Sequence, residues 1–122
     1  MRGGDRNALG LWGEEKAAEY LKKQGYRIAT KRYRCREGEL DLVAERKGFV
    51  CFVEVKLRKN ANMGEAREYV TYAKQRKLRT AALRYLSEHH TRLQPRFDVI
   101  EVYAPWGEQT KDPVIRHWEN AF

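Results

Sequence analysis

The sequence predicts a single α/β domain in which helices pack against one mixed β-sheet, and three observations support this fold class. The 122 residues fit one domain with one hydrophobic core. Hydrophobic residues make up 42% and charged residues 34% of the chain, which is the balance of a globular protein. Segments with helical and strand periodicity follow one another in the order α-β-β-β-α-β-β.

Two segments have the periodicity and the end signals of helices. The first helix is predicted from about Leu9 to Gln24, and Gly25 follows it as a C-cap because glycine adopts the left-handed conformation without steric cost. Thr71 can cap a second helix that reaches about His89. The apolar residues of the second helix recur at helical spacing and are predicted to face the core: Leu78, Ala81, Ala82, Tyr85 and Leu86.

Five further segments have the apolar pattern of strands, and turn residues separate them. They are Tyr26–Arg34, Glu39–Glu45, Phe49–Leu57, Arg96–Tyr103 and Val114–Trp118. The residues Arg46-Lys47-Gly48 between the second and third segments are typical of a hairpin turn, and Asn60–Gly64 is predicted to be a loop. The second and third strands are therefore predicted to be antiparallel neighbours.

The chain carries a net charge of +8, with 25 Lys and Arg side chains against 17 Asp and Glu side chains. Such an excess favours a polyanionic partner such as nucleic acid, although a merely basic surface would have the same composition. No stretch approaches the roughly 20 apolar residues of a membrane helix, and no apolar run follows the first residues as in a secretory signal. We therefore expect a cytoplasmic protein without a membrane partner.

The two cysteines indicate neither a structural metal site nor a cross-link. Cys35 and Cys51 have no second Cys or His at zinc-site spacing. Cys51 lies in an apolar run and is predicted to be a buried small hydrophobe, and a disulfide is not expected in the cytoplasm.

The predicted hairpin places acidic residues together. With the two-residue loop Lys47-Gly48, Asp41 lies directly opposite Glu54, and Glu39 lies opposite Lys56. Because side chains alternate between faces, Asp41, Glu54 and Lys56 then share one face. Two opposed carboxylates repel each other, so a lysine or a divalent cation must offset their charge. A three-residue loop with a bulge would change this register.

The first helix supplies a third acid. Ala17, Ala18 and Leu21 stand three, four and seven residues after Glu14, so Glu14 lies on the apolar face of the helix. An unpaired carboxylate on a core-facing side is costly, and the acidic hairpin site would give it a place. Each of these acids could instead form an ordinary salt bridge, but a chance convergence of all three is the less favoured interpretation.

This set of residues suits phosphodiester hydrolysis. Asp41 and Glu54 could hold Mg²⁺ or Mn²⁺, because Mg²⁺ is typically bound by one or two carboxylates together with substrate phosphate. Lys56 could position or deprotonate the attacking water, or stabilise developing charge. The sequence leaves the choice between these roles open.

Basic residues that flank the acidic set could follow a phosphate backbone, or could form a solvated surface. They are Arg58, Lys59, Lys74, Arg76, Lys77 and Arg79. Lys74 is the preferred candidate, because it lies in the first turns of the second helix. We predict contacts to nucleic acid from Lys74, Arg58 and Arg76.

Other polar and aromatic residues have simpler interpretations. Asp98 is expected to pair with an arginine rather than with a metal, and His89 and His90 to be structural or incidental. The tryptophans could stack on bases, but packing is the better interpretation of each: Trp12, Trp106 and Trp118. No helix-turn-helix or base-reading sheet is recognisable, so sequence-specific recognition is not supported.

The string from Gly38 to Ala44 (GELDLVA), followed by Phe52-Val53-Glu54-Val55-Lys56, resembles the PD-(D/E)XK nuclease motif. It is most similar to the small bacterial YraN-like family, whose members are largely uncharacterised. The likeness covers nearly the whole chain and includes further matching pieces. These are Gly13-Glu14 with Ala17 and Tyr20-Leu21, Gly25-Tyr26, Val70-Thr71, Lys74, Leu78, Arg96–Val99 and Asn120–Phe122.

The resemblance implies a single restriction-endonuclease-like domain, a mixed β-sheet flanked by helices, with a distant likeness to archaeal Holliday-junction resolvases. It implies that Asp41 and Glu54 hold the metal and that Lys56 is the catalytic lysine. Glu14 would match the first-helix acid of resolvase-like members. Glu39-Leu40-Asp41 stands in place of the usual Pro-Asp pair, which leaves the metal-binding aspartate intact.

Three functions stay open at this point. The favoured one is a metal-dependent nuclease for DNA, with structured or branched DNA as one substrate class. A resolvase-like activity would favour a homodimer, since two strands need two sites. The alternatives are a non-catalytic nucleic-acid-binding module that retains the nuclease fold, and an interaction protein with a structural acidic cluster.

Overall fold

Two helices flank a five-stranded mixed sheet in the computed structural model, which describes residues 2–60 and 70–122. The helices are α1 (Arg2–Lys23) and α2 (Tyr72–Glu88). The strands are β1 (Arg27–Cys35), β2 (Gly38–Arg46), β3 (Phe49–Arg58), β4 (Gln94–Tyr103) and β5 (Val114–Trp118). The predicted fold class and element order are confirmed.

The strands lie in sequence order across the sheet. The β3–β4 pair is parallel and is connected through α2, whereas the other neighbouring pairs are antiparallel. The sheet is therefore mixed, as predicted. Of the predicted loop Asn60–Gly64, all but Asn60 lies outside the described residues. None of the helices in residues 2–60 and 70–122 is long and apolar enough to span a membrane.

Each face of the sheet is covered by one helix. On one face α1 buries Ala17, Ala18 and Leu21 against the sheet. On the opposite face α2 buries Leu78, Ala81, Ala82 and Tyr85, and Leu86 packs at the edge of that cluster. These clusters confirm the helical stripes that the sequence predicted, and Cys51 is buried as expected.

The helix ends follow the predicted signals. Gly25 adopts a φ of +91°, and the Tyr26 N–H donates to the Leu21 carbonyl at 2.9 Å, so the helix ends at this glycine. The Thr71 hydroxyl accepts a hydrogen bond from the Lys74 N–H at 3.1 Å and caps α2. The first helix begins before the predicted Leu9, and the prediction missed this start because the residues ahead of Leu9 carry no apolar periodicity.

The hairpin between β2 and β3 has the predicted two-residue loop. Lys47 and Gly48 both have positive φ values, of 46° and 87°, as the central residues of a type I′ turn do. The pairing runs from Arg46–Phe49 to Leu42–Val53 in the predicted register. This turn therefore sets which residues of β2 face which residues of β3.

Candidate active site

The regular pairing of β2 with β3 ends immediately before Asp41. The last paired residues are Leu42 and Val53, so the predicted direct pairs of Asp41 with Glu54 and of Glu39 with Lys56 are not formed. Leu40 packs in the α2 cluster and Leu42 in the α1 cluster, although residues two apart in a regular strand share a face. The strand alternation is therefore broken at Asp41, which the sequence analysis did not foresee.

The neighbouring strand has a matching irregularity. Between the Lys31–Leu42 and Tyr33–Leu40 pairs of β1 and β2, Arg32 adopts a φ of 54°. A non-glycine residue in this left-handed region costs free energy that the surrounding structure must offset. Because both strands kink at the same level, Arg32 and Asp41 leave the regular ladder together.

The Asp41 carboxylate replaces part of the missing ladder. Its Oδ2 accepts a hydrogen bond from the Val55 N–H at 2.8 Å. Burial raises the pKa of Asp41 from 3.8 to about 8, and the nearby carboxylates of Glu54 and Glu14 add to the rise. The hydrogen bond from Val55 opposes this effect but does not cancel it. The interaction of these carboxylates is the convergence that the sequence predicted.

Glu54 lies between two lysines. The Nζ atoms of Lys56 and Lys74 are each 3.5 Å from its Oε2 atom. Glu54 is 6% exposed, whereas the side chains of Lys56 and Lys74 are 32% and 47% exposed. The two ammonium groups therefore offset a buried carboxylate on one side and reach solvent on the other.

Glu14 reaches the same region from α1. Burial raises the pKa of Glu14, and the Arg32 guanidinium partly opposes the rise. Arg32 Nε lies 3.6 Å from Glu14 Oε1, and neither of these buried atoms has a hydrogen-bond partner in the part of the chain that the structure describes. Arg32 was not identified from the sequence, because its contact depends on the kink in β1.

The predicted phosphate-binding arginines differ in their exposure to solvent. Arg76 is exposed, with its guanidinium 5.9 Å from the ring centre of the exposed Tyr72. Arg58 is buried, and its Nε donates to Glu101 at 3.1 Å. The Arg58 guanidinium is hydrogen-bonded to Glu101 in this conformation. A contact between Arg58 and nucleic acid stays a prediction.

Glu101 is a buried acid that the sequence analysis missed. It is fully buried, pairs in register with Lys56, and accepts a hydrogen bond from Trp118 Nε1 at 2.9 Å. The signal was present, because a glutamate in the middle of an apolar strand needs a buried partner. Its bond to Arg58 links β4 to the last residue of β3.

Comparison with known proteins identifies the family. The sequence profile of the uncharacterised protein family UPF0102 matches residues 13–102. The chain belongs to the UPF0102 family. A UPF0102 protein of Myxococcus xanthus is 45% identical over 111 residues, which cover 90% of this chain and 88% of the relative. One of Caldanaerobacter subterraneus is 42% identical over the full length of both, and one of Syntrophotalea carbinolica is 45% identical over 96% of this chain and 93% of the relative. The family is the YraN-like one that the sequence resembled.

The donor set of this UPF0102 chain suits one kind of metal. Within the described ranges, no group of three or more His, Cys, Asp or Glu side chains is placed to enclose an ion. Asp41 and Glu54 together offer two carboxylates, and Mg²⁺ is usually bound by one or two carboxylates when water and phosphate complete its shell. Burial is the main cause of the raised pKa of Asp41 and the carboxylate of Glu54 adds to it, and a bound cation would oppose both effects.

A second polar network of the UPF0102 chain lies apart from these residues. Asp98 is fully buried and accepts hydrogen bonds from Arg96, at 2.8 and 2.9 Å, and from the Asn120 N–H. His117 Nε2 is 2.7 Å from the same carboxylate. The prediction that Asp98 pairs with an arginine is confirmed. The ring of His89 stacks on Tyr85, in agreement with a structural role.

The tryptophans differ in their surroundings. Trp12 and Trp118 pack against the two core clusters, as predicted. Trp106 is 74% exposed, so the prediction that it packs was wrong. The physical reason is its position in a tight loop after β4, where a 3₁₀ turn (Gly107–Gln109) follows at once.

Proposed function

We propose that this UPF0102 protein is a metal-dependent nuclease of the PD-(D/E)XK type, which hydrolyses phosphodiester bonds of DNA. The observation that carries the proposal is the meeting of Asp41 and Glu54 at a break in the sheet, with Lys56 and Lys74 on Glu54. Catalytic groups of this kind have perturbed pKa values in partly buried surroundings, as Asp41 does.

Asp41 and Glu54 are the residues that would hold Mg²⁺ or Mn²⁺. When bound, such an ion offsets negative charge on the phosphate and lowers the pKa of coordinated water. Glu14, which approaches from α1, would orient this set rather than bind the ion, since its carboxylate is already 3.6 Å from Arg32.

Lys56 and Lys74 can have different functions in catalysis and substrate binding. Lys56 is the more enclosed of the pair, so its ammonium group can hold the attacking water or stabilise charge that develops on the phosphate. Lys74 is the more exposed and lies in the first turn of α2, so it can bind a phosphate oxygen of the strand. Arg76, two residues after Lys74, is a further exposed cation at this end of α2.

DNA is the proposed partner because the chain is strongly basic and because the lysines face outward from the acids. Structured DNA, such as a flap or a four-way junction, is the proposed substrate class. A homodimer would allow two strands of a junction to be cut in one complex.

Metal-dependent cleavage is the test. We would incubate the protein with labelled single-stranded, duplex, flap and four-way-junction DNA, in Mg²⁺ or Mn²⁺ and in EDTA. Glu54→Gln is expected to lower the cleavage rate by about 100-fold or more while it retains binding, because it removes charge and changes little volume. Glu45→Gln, on the same hairpin but paired with Arg27, is the matched control. Equal cleavage by purified wild type and Glu54→Gln would overturn the proposal.

A non-catalytic nucleic-acid-binding module is the second candidate. The observation that favours it is that Lys56 and Lys74 already offset Glu54, so the fold is electrostatically satisfied at this position without an ion. This candidate predicts salt-dependent binding across the same DNA panel with no metal-stimulated cleavage. The two candidates therefore differ in the metal and EDTA arms of one experiment.

A further inference from the structure

A groove of about 440 Å³ lies at the end of the sheet beyond the candidate active site. Its walls are mainly aromatic and apolar side chains: Tyr103, Pro105, Trp106, Pro113 and Val114. Tyr103 pairs in register with Arg58 of β3 and with Val114 of β5. The groove therefore begins where β3 and β4 end, and β3 is the strand that carries Glu54 and Lys56.

The groove presents an aromatic ring that the fold does not use. Trp106 is 74% exposed, and Val114 beside it is 62% exposed. The loop that carries the ring is nevertheless held by its own hydrogen bonds. The Trp106 N–H donates to the Thr110 hydroxyl at 2.9 Å, and the Gly107 N–H donates to the Ala104 carbonyl at 3.0 Å. A ring presented by an ordered loop loses little entropy when a flat ligand binds to it.

The chemistry of the groove fits a nucleobase better than a phosphate. Its two charged lining residues, Lys111 and Asp112, have opposite charges, and most of the remaining lining is apolar. Arg116 stands 5.4 Å from the ring centre of Tyr103 and supplies a cation beside the aromatic wall. Bases stack on such rings with little dependence on their identity, because every base has a flat π-face.

The position of the groove fits a strand that also reaches the active site. Glu54 precedes Arg58 by four residues on β3, which corresponds to about 13 Å of strand at about 3.3 Å per residue. A stacked DNA strand covers that distance in about four nucleotides at about 3.4 Å each, and an extended one in fewer. Glu54 and Tyr103 also lie on one face of the sheet, since Arg58 is four residues from Glu54 and is paired with Tyr103.

We propose that the groove beside Trp106 is a nucleobase site, which holds an unpaired base of a DNA strand whose backbone passes Glu54 and Lys56. The proposal rests on the proposed DNA nuclease function and narrows its substrate to DNA with a single-stranded part. A base inside an intact duplex is stacked on both sides and cannot enter the groove without being unpaired.

Binding in EDTA tests the proposal without any need for cleavage. The affinity of the full-length chain for a labelled thymidine single strand, and for a blunt duplex of equal length, would be measured by fluorescence anisotropy. Trp106→Ala is expected to weaken single-strand binding by about tenfold, and duplex binding by less than about twofold. Trp106→Phe keeps an aromatic ring and is expected to retain most of the affinity. Leu83→Ala is the matched control, because Leu83 is a similarly exposed apolar residue on α2, at 67%.

A strand with abasic sites separates stacking from other effects. If the ring stacks on a base, Trp106→Ala will cause no further loss of affinity for the abasic strand. An equal loss on the normal and abasic strands would overturn the proposal, as would unchanged single-strand affinity of Trp106→Ala. A proline-rich peptide that quenches Trp106 fluorescence, with DNA affinity unaffected by the substitution, would assign the groove to a protein partner instead. Metal-dependent cleavage by Trp106→Ala, measured separately, shows whether the proposed nuclease function stands when the base site fails.

Discussion

Asp41 is the residue at which the fold and the proposed chemistry conflict. The carboxylate is buried beside two other acids, and it accepts a hydrogen bond from the Val55 N–H. Its pKa of about 8 means that the metal-free fold favours the protonated acid at neutral pH. The same group must be ionised to bind a cation, so metal binding would release a proton.

In EDTA, the stability of the folded protein should fall with rising pH because of the raised pKa of Asp41. An acid whose pKa rises on folding contributes stability that is fully present below about 3.8 and is lost as the pH rises through about 8. Asp41→Asn keeps an acceptor for the Val55 N–H and removes the ionisation. We expect the Asp41→Asn variant to melt about 5 °C above wild type at pH 9. This shift corresponds to a gain of about 1 kcal/mol in the free energy of unfolding, since that amount moves the melting midpoint of a domain of this size by about 2–8 °C.

Thermal melts of both proteins at pH 4 and pH 9 provide the check, because the difference should nearly vanish at the lower pH. Glu45→Gln serves as the control, since Glu45 lies on the same strand and forms an exposed ion pair with Arg27. A wild type that is as stable as the variant at pH 9 in EDTA would show that Asp41 is not destabilised by its surroundings.

Close approach of α1 to the sheet decides where Glu14 lies. A Cβ atom on Gly13 would come within 2.9 Å of Leu57 Cδ2, whereas one on Gly10 would meet nothing within 4 Å. Gly13 therefore lets the helix approach β3 at the level of the active site. The residue next to it is Glu14, so a displacement of the helix here would move the carboxylate.

The two glycines form a matched pair for testing this contact. Gly10→Ala is expected to stabilise the protein by about 0.5–1 kcal/mol, because alanine favours the helix. Gly13→Ala has the same helical gain but overpacks the interface, which typically costs about 1–3 kcal/mol, so it should be less stable than Gly10→Ala. Urea unfolding measures both values. If Leu57→Val restores the stability of the Gly13→Ala variant, the loss of stability comes from the contact between residues 13 and 57. Equal stability of the two alanine variants would contradict the close approach of α1 to β3.

The elements also show what local pattern can predict. The turn residues Lys47 and Gly48 fixed the hairpin register as far as Leu42 and Val53, because positive φ at both positions leaves one turn type. The irregularity at Asp41 was not predictable, because strict alternation gives no sign of a kink. It lies at the level of Arg32 on β1, which has a positive φ, and the pairing of β1 with β2 is not readable from either strand alone.

On the scale of the whole molecule, helical stripes were the most dependable signal and surface aromatics the least. Ala17, Ala18 and Leu21 were predicted to be core residues by spacing alone, and they are. Trp106 was expected to pack because large aromatics usually do, and its exposure depends on a loop whose path no periodicity describes. Convergence of Glu14 with the hairpin acids was predictable only because each lies on a periodic element.

The charge of the whole chain makes a further prediction about binding. If the protein binds DNA as proposed, its net charge of +8 would attract DNA in any orientation, but only cations within the contact surface would displace counterions and set the slope of affinity against salt. Arg76 is exposed on the first turns of α2, two residues after Lys74. Arg27 lies at the hairpin end of the sheet and pairs with Glu45 at 2.6 Å.

Arg76→Gln and Arg27→Gln each lower the net charge by one, and they differ in position and in the ion pair that Arg27 forms with Glu45. We expect Arg76→Gln to reduce the slope of log affinity against log salt by about one, since each phosphate contact contributes about 0.9 on duplex DNA. Arg27→Gln should leave that slope unchanged. Anisotropy titrations in EDTA over a series of salt concentrations measure both slopes. If both substitutions reduce the salt-dependence slope by the same amount, DNA affinity depends on the overall charge of the protein rather than on a surface around Lys74. The proposed path of the strand past Glu54 then loses its support.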